Sequence, residues 1–196
     1  MPHRIPHWFA LTVKPQHEKT VAEQLELKSL ESYTPLYKAK HQWSDRTKAL
    51  ELPLFPKYVF CRFAALQRAV VLQTPGVTSI VGFGGQPYPV SDQEIEGVKK
   101  MIASGKRLKL YPHLVVGQPV RIAAGSMTGL IGILIREKSA YRVVVNVELL
   151  NRGVAVEVER EFVETVPPAP KARTSASGRG SGPRQGSGTT TNRDPH

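Results

Sequence analysis

Residues 52–63, LPLFPKYVFCRF, set the tightest limit on the fold, because the stretch is apolar and aromatic yet broken by Pro53, Pro56 and Lys57. Proline has no N–H to give a sheet ladder, so Pro56 belongs at a strand's first residue, on an edge or at a bulge. A strand is therefore expected from about Lys57. Beyond it the side chains alternate, with Tyr58, Phe60 and Arg62 on one face and Val59, Cys61 and Phe63 on the other. Both faces are bulky. One suits a core; the other, with Phe55 beside it, suits either more core or an aromatic surface for a partner.

The flanking pattern builds a domain around this strand. Residues 8–13 (WFALTV) read as a first strand ended by Lys14-Pro15, and residues 16–30 switch to helical spacing with Val21, Ala22, Leu25 and Leu30 apolar. Residues 33–43 read as a second strand and residues 44–50 as a polar connection, with Lys38, Lys40, Arg46 and Lys48 forming the most basic part of the domain. A short helix over 66–73 is stopped by Thr74-Pro75-Gly76, and a strand resumes over 77–83. Ser91 and Glu94 have the spacing of a capping box for a helix with Ile95, Val98, Met101 and Ile102 on its apolar face, ended near Gly105. The expectation is an α+β domain over 1–104, helices packed on a mainly antiparallel sheet.

Residues 105–112 are basic and contain a proline, which reads as a linker. From 113 to 166 helical periodicity disappears; valine and isoleucine alternate with polar residues between turn glycines, as expected of about five short strands closed into a small barrel. Residues 167–196 are rich in Pro, Gly, Ser and Thr, a composition that cannot bury enough apolar surface to offset chain entropy, so a disordered tail is expected.

The run FPKYVF, following an amphipathic helix and followed by QTPGV, resembles the FPGYV signature of the NusG N-terminal domain, a family of bacterial transcription elongation factors. Residues 116–137 and 149–166, with the spacing of Val120, Gly125, Gly129 and Gly132, resemble a KOW module. In that family the first and central strands line a hydrophobic depression that grips the clamp helices of RNA polymerase. The resemblance carries this role to Trp8, Phe55, Pro56 and Tyr58, with Phe9 as an extension. It also implies that the hairpin bearing Lys38, Lys40, Arg46 and Lys48 reaches towards DNA or nascent RNA near the polymerase. The loop of Leu149, Leu150, Asn151 and Arg152 would engage the ribosomal protein NusE or the termination factor Rho.

Departures qualify the match. Lys57 stands where the family has glycine, which either weakens the anchor fit or adds a contact to an acidic clamp residue. Leu150 and Asn151 replace a phenylalanine and a glycine. With FGGQPYPV resembling a segment of RfaH, these changes point to a specialised paralogue of the RfaH or UpxY kind acting in antitermination, with a housekeeping NusG or an RNA-binding, ribosome-associated KOW protein as alternatives.

Charge fits this reading. The net charge of +11 suggests a polyanionic neighbourhood. The excess sits in residues 1–104, the linker and the tail, whereas 113–166 hold six cations and six anions. The single cysteine, Cys61, excludes an internal disulfide or a Cys-rich zinc site. No nucleophile–base pair, metal cluster or phosphate-loop motif stands out, so a monomer without enzymatic activity, cofactor or metal is expected. No apolar run is long enough to span a bilayer and the start lacks the pattern of a signal peptide, so no membrane association and a cytoplasmic location are expected.

Overall fold

The computed structural model describes residues 5–43 and 46–166, and within 39–49 the description covers the backbone alone. The elements of the first module are β1 (His7–Val13), α1 (Glu18–Leu27), β2 (Glu31–Tyr33), β3 (Leu36–Trp43), β4 (Arg46–Pro53), β5 (Tyr58–Phe63), α2 (Arg68–Leu72), β6 (Val77–Ile80), β7 (Gly82–Phe83), β8 (Gln86–Pro87), β9 (Pro89–Val90) and α3 (Asp92–Ala103). A five-stranded sheet forms in the order β2-β5-β1-β6, with β9 on β1, and its pairings are antiparallel.

Two elements differ from their expected extents. The strand expected over 33–43 is interrupted at Thr34-Pro35, so β2 pairs with β5 while β3 leaves the sheet. The polar run expected as a connection is largely β4, paired with β3 from Leu36↔Pro53 to Trp43↔Arg46. Polar residues are compatible with a two-stranded hairpin because such a ribbon has no obligation to bury either face.

One sheet face is closed by local helices. Leu11, Val13, Val59, Cys61 and Phe63 pack with Val21 and Leu25 of α1 and Val71 of α2 into one buried cluster. The α3 N-terminus has the expected capping box: Glu94 N–H donates to Ser91 Oγ at 3.1 Å, and Ser91 N–H donates to Glu94 Oε2 at 3.4 Å. Gly105, at φ +65°, follows the helix end.

The second module contains β10 (Leu108–Tyr111), β11 (Gln118–Ile122), β12 (Ile131–Glu137), β13 (Ala140–Val147), β14 (Arg152–Val158) and β15 (Val163–Thr165). Its antiparallel order is β10-β14-β13-β12-β11-β15. It is all β apart from short 3₁₀ turns, in six strands rather than five, because residues expected as linker pair with β14 from Leu108↔Val156 to Tyr111↔Gly153. Leu108 and Leu110 are half-buried while Lys109 points to water, the alternation a sheet edge requires. Asn146 fastens the following loop like an extra ladder rung. Its Oδ1 accepts from Val115 N–H at 3.1 Å, and its Nδ2 donates to Val115 O at 2.9 Å.

The fold is α+β, with antiparallel sheets and, among the described residues, three α-helices. The expected disordered tail lies outside the described residues.

Candidate functional site

The chain enters β5 through a tight turn at Phe55–Tyr58. Tyr58 N–H donates to Phe55 O at 3.1 Å, Pro56 occupies the second position, and Lys57 the third with φ 70°. Proline second and a positive φ third are the marks of a type II turn, where glycine is the ordinary third residue. Two hydrogen bonds hold the unfavourable backbone: Lys57 N–H donates to Glu18 Oε1 at 2.8 Å, and Val13 N–H donates to Lys57 O at 2.9 Å. Glu18 is buried at 6 % exposure and opens α1, where a carboxylate also meets the positive end of the helix dipole. The first helix thus props the turn from behind and leaves Pro56 and Lys57 exposed.

Register separates the residues expected to dock. Trp8 pairs with Arg62, Ala10 with Phe60 and Thr12 with Tyr58, so these six share one face. Phe9 pairs with Cys61 and lies on the opposite face, its ring 4.5 Å from that of Phe63. It therefore does not join the expected group: adjacent strand residues point to opposite sides of a sheet.

The face itself is not an open hollow. Phe55 is 0 % exposed and Trp8 3 %, and Tyr58 is half-buried. Phe55 meets Phe60 edge-on at 5.9 Å, and Tyr33 lies 6.4 Å from Phe60. Burial and the nearby Glu96 push the Tyr33 phenol above its usual range. Lys99 of α3 sits 5.2 Å from the Trp8 ring centre and 5.5 Å from that of Tyr33, a cation over two aromatic faces. Trp8, Phe55 and Phe60 belong to one apolar core with Ile95, Val98 and Met101 of α3, and that core continues into the second module.

The continuation runs through α3. A side chain at Gly97 would place its Cβ 3.1 Å from Val145 and 3.5 Å from Leu130, so glycine lets the modules approach there. Glu148 N–H donates to Glu94 Oε1 at 3.1 Å, and Lys100 Nζ donates to Thr128 O at 3.3 Å. Burial pushes the Glu94 carboxyl up, opposed by the hydrogen bonds from Glu148 and Ser91. The expected partner loop sits at this seam. Leu150 is buried and Leu149 half-buried in the shared core, Asn151 is exposed at φ 50°, and half-buried Arg152 begins β14.

The basic hairpin stands apart from these surfaces. Lys38 is exposed opposite Glu51; the side chains of Lys40, Arg46 and Lys48 lie outside the description. Lys19 Nζ bonds the Glu51 carboxylate at 3.0 Å and, with Lys38 adding, holds its pKa down. Burial pushes the Cys61 thiol up to about 12, marking it as a core residue. Among the described residues no group of three metal-ligating side chains occurs, and no helix is long and apolar enough to cross a membrane.

Sequence reasoning missed Glu18 and Gly97. For Glu18 the available signal was a carboxylate at the first turn of a helix packed on the central strand. For Gly97 it was a glycine in mid-helix, a position that costs about 1 kcal/mol against alanine and so asks for a packing reason.

Residues 6–99 match the family model described as "Transcription termination factor nusG". The chain carries a NusG-family domain. Among solved structures the chain is similar to the one titled "Domain interaction in Thermotoga maritima NusG", at 22 % identity and a TM-score of 0.45, covering 83 % of this chain and 98 % of that one. It is also similar to a chain of the MjSpt4:Spt5 complex in conformation A, at 19 % identity and a TM-score of 0.29, covering 81 % and 97 %. No curated protein matches the sequence.

Proposed function

We propose that this protein is a transcription elongation factor that docks on the clamp helices of RNA polymerase through the Trp8–Phe55–Tyr58 face and the Pro56–Lys57 tip. The observation that supports it most is the combination of the family match over residues 6–99 with an aromatic turn whose tip is exposed and externally braced. Trp8 and Phe55 are buried in a core they share with α3 and, through α3, with the second module, so full docking requires that core to open. The seam joins apolar side chains of both modules, with Gly97 at a close approach and two polar contacts beside it. Parting would also free the Leu149–Leu150 region for NusE or Rho.

In this role the factor acts mechanically. Apolar aromatics anchor one helix tip of the clamp, the basic hairpin lies towards DNA or nascent RNA on the other side of the channel, and a bridged clamp disfavours pausing and release. The departures at Lys57, Leu150 and Asn151 favour a specialised antitermination paralogue of the RfaH or UpxY kind over a housekeeping factor. A cytoplasmic monomer is the form in which it would work.

One observation favours a second reading. By joining the sheet of the second module, β10 brings Lys106, Arg107 and Lys109 to a surface otherwise balanced in charge, which improves its case as an RNA reader. Carboxylates of Glu137 and Glu157 on the same surface already pair with Lys109 and Arg142, which limits that case. A binding titration of core RNA polymerase decides between them. Tyr58→Ala is expected to lower affinity by roughly 1–3 kcal/mol with the fold intact. Unchanged polymerase binding, with RNA retained by the second module, would favour the RNA reader.

A further inference from the structure

We propose that Lys57 is a specificity-determining residue, its ammonium selecting a partner that carries a carboxylate beside the apolar group docked at Tyr58. The inference rests on the docking reading and adds the chemistry of the contact. Lys57 lies at the tip of the turn between Phe55 and Tyr58 with φ 70°, a conformation in which the Cβ of any L-residue is crowded and glycine is not. Four other non-glycine residues have positive φ, namely Gln16, Ser29, Lys138 and Asn151, so backbone strain alone singles out nothing. Position does. Lys138 is also a lysine at positive φ, in the turn between β12 and β13, whereas Lys57 lies within the candidate docking surface.

The side chain has no internal employment. Among the described residues Lys57 Nζ makes no hydrogen bond and no ion pair, and the residue is exposed. The buried carboxylate that approaches it, Glu18, is taken up by the Lys57 backbone N–H rather than by its ammonium. That brace fixes where the side chain starts, so a free cation is held at the edge of an aromatic surface. A cation so placed offers little to the fold and can discriminate among partners: it attracts a carboxylate at the rim of the contact and repels a cation there. Strain retained at one defined point, where a less strained residue exists, is the pattern expected where function sets the residue.

The test uses the full chain and purified core RNA polymerase, with affinity measured at about 50 mM and about 300 mM salt, between which the Debye length shortens from about 14 Å to about 6 Å. Lys57→Gly is expected to raise the melting temperature and yet weaken binding several-fold at low salt, with a shallower salt dependence than the parent. Lys57→Glu should weaken binding about tenfold or more, and Lys57→Arg should keep most of it. Binding by Lys57→Gly as tight as the parent, with the same salt dependence, would overturn the proposal. Tyr58→Ala run alongside separates the two claims. If Tyr58→Ala weakens binding and the Lys57 variants do not, only the selection by Lys57 falls; if none of them matters, the docking reading falls with it.

Discussion

The two faces of the first sheet both carry a buried core and differ in what covers it. Leu11, Val59, Cys61 and Phe63 are covered by α1 and α2, helices a short way along the same domain. Trp8, Phe60 and the adjoining Phe55 share their core with α3 and, through it, with valines and leucines of a module beginning beyond residue 105. Burial on the first face is a condition of folding the domain. On the second it runs through α3 to a seam that includes Gly97, so this face can be exchanged for another partner only if α3 shifts as the seam opens.

Substitutions sharpen this contrast. The largest effect is expected from Phe63→Ala, which should destabilise the first module by about 3–5 kcal/mol in urea unfolding, since its cavity opens inside the committed core. Gly97→Leu should cost roughly 1–3 kcal/mol by overpacking against Val145 and Leu130, and should act on the seam alone. The modules would then tumble independently in NMR relaxation while each keeps its own chemical shifts; collapse of either module's spectrum would break the comparison. Lys57→Gly should stabilise the first module by about 1 kcal/mol, because it relieves a left-handed backbone without touching either core.

The smallest effect at neutral pH belongs to Cys61. Its thiol is pushed up to about 12 by burial, from an ordinary value near 9, with Glu31 adding to the rise. The folded state therefore keeps a proton that the unfolded state gives up, and stability falls as pH climbs from about 9 towards 12. Below that window the group contributes no pH dependence. Thiol labelling at pH 8 should track global unfolding, and should be no faster in Gly97→Leu than in the parent, because Cys61 lies on the helix-covered face.

Local pattern made much of this legible. Alternation through Tyr58–Phe63 separated the two faces, the Ser91–Glu94 spacing announced the cap of α3, and the valine alternation of the second module favoured β over helix. The extension to Phe9 failed on the same alternation that placed Trp8, since neighbours in a strand cannot share a side. Leu108–Tyr111 carried a strand signal, but its lysines and the adjacent proline read more strongly as a linker. Nothing local shows that the Trp8–Phe55 face is covered. That cover comes from residues far along the chain, and such contacts leave only indirect traces, here a glycine where a helix prefers alanine. The Glu18 brace on Lys57 spans 39 residues and is hidden for the same reason.

The most direct test of an exchangeable face is a single titration of core RNA polymerase with the parent chain, Gly97→Leu and Tyr58→Ala. Opening the seam should tighten binding in Gly97→Leu, and loss of the ring should weaken it in Tyr58→Ala. Equal affinity for all three would mean that polymerase does not use this face.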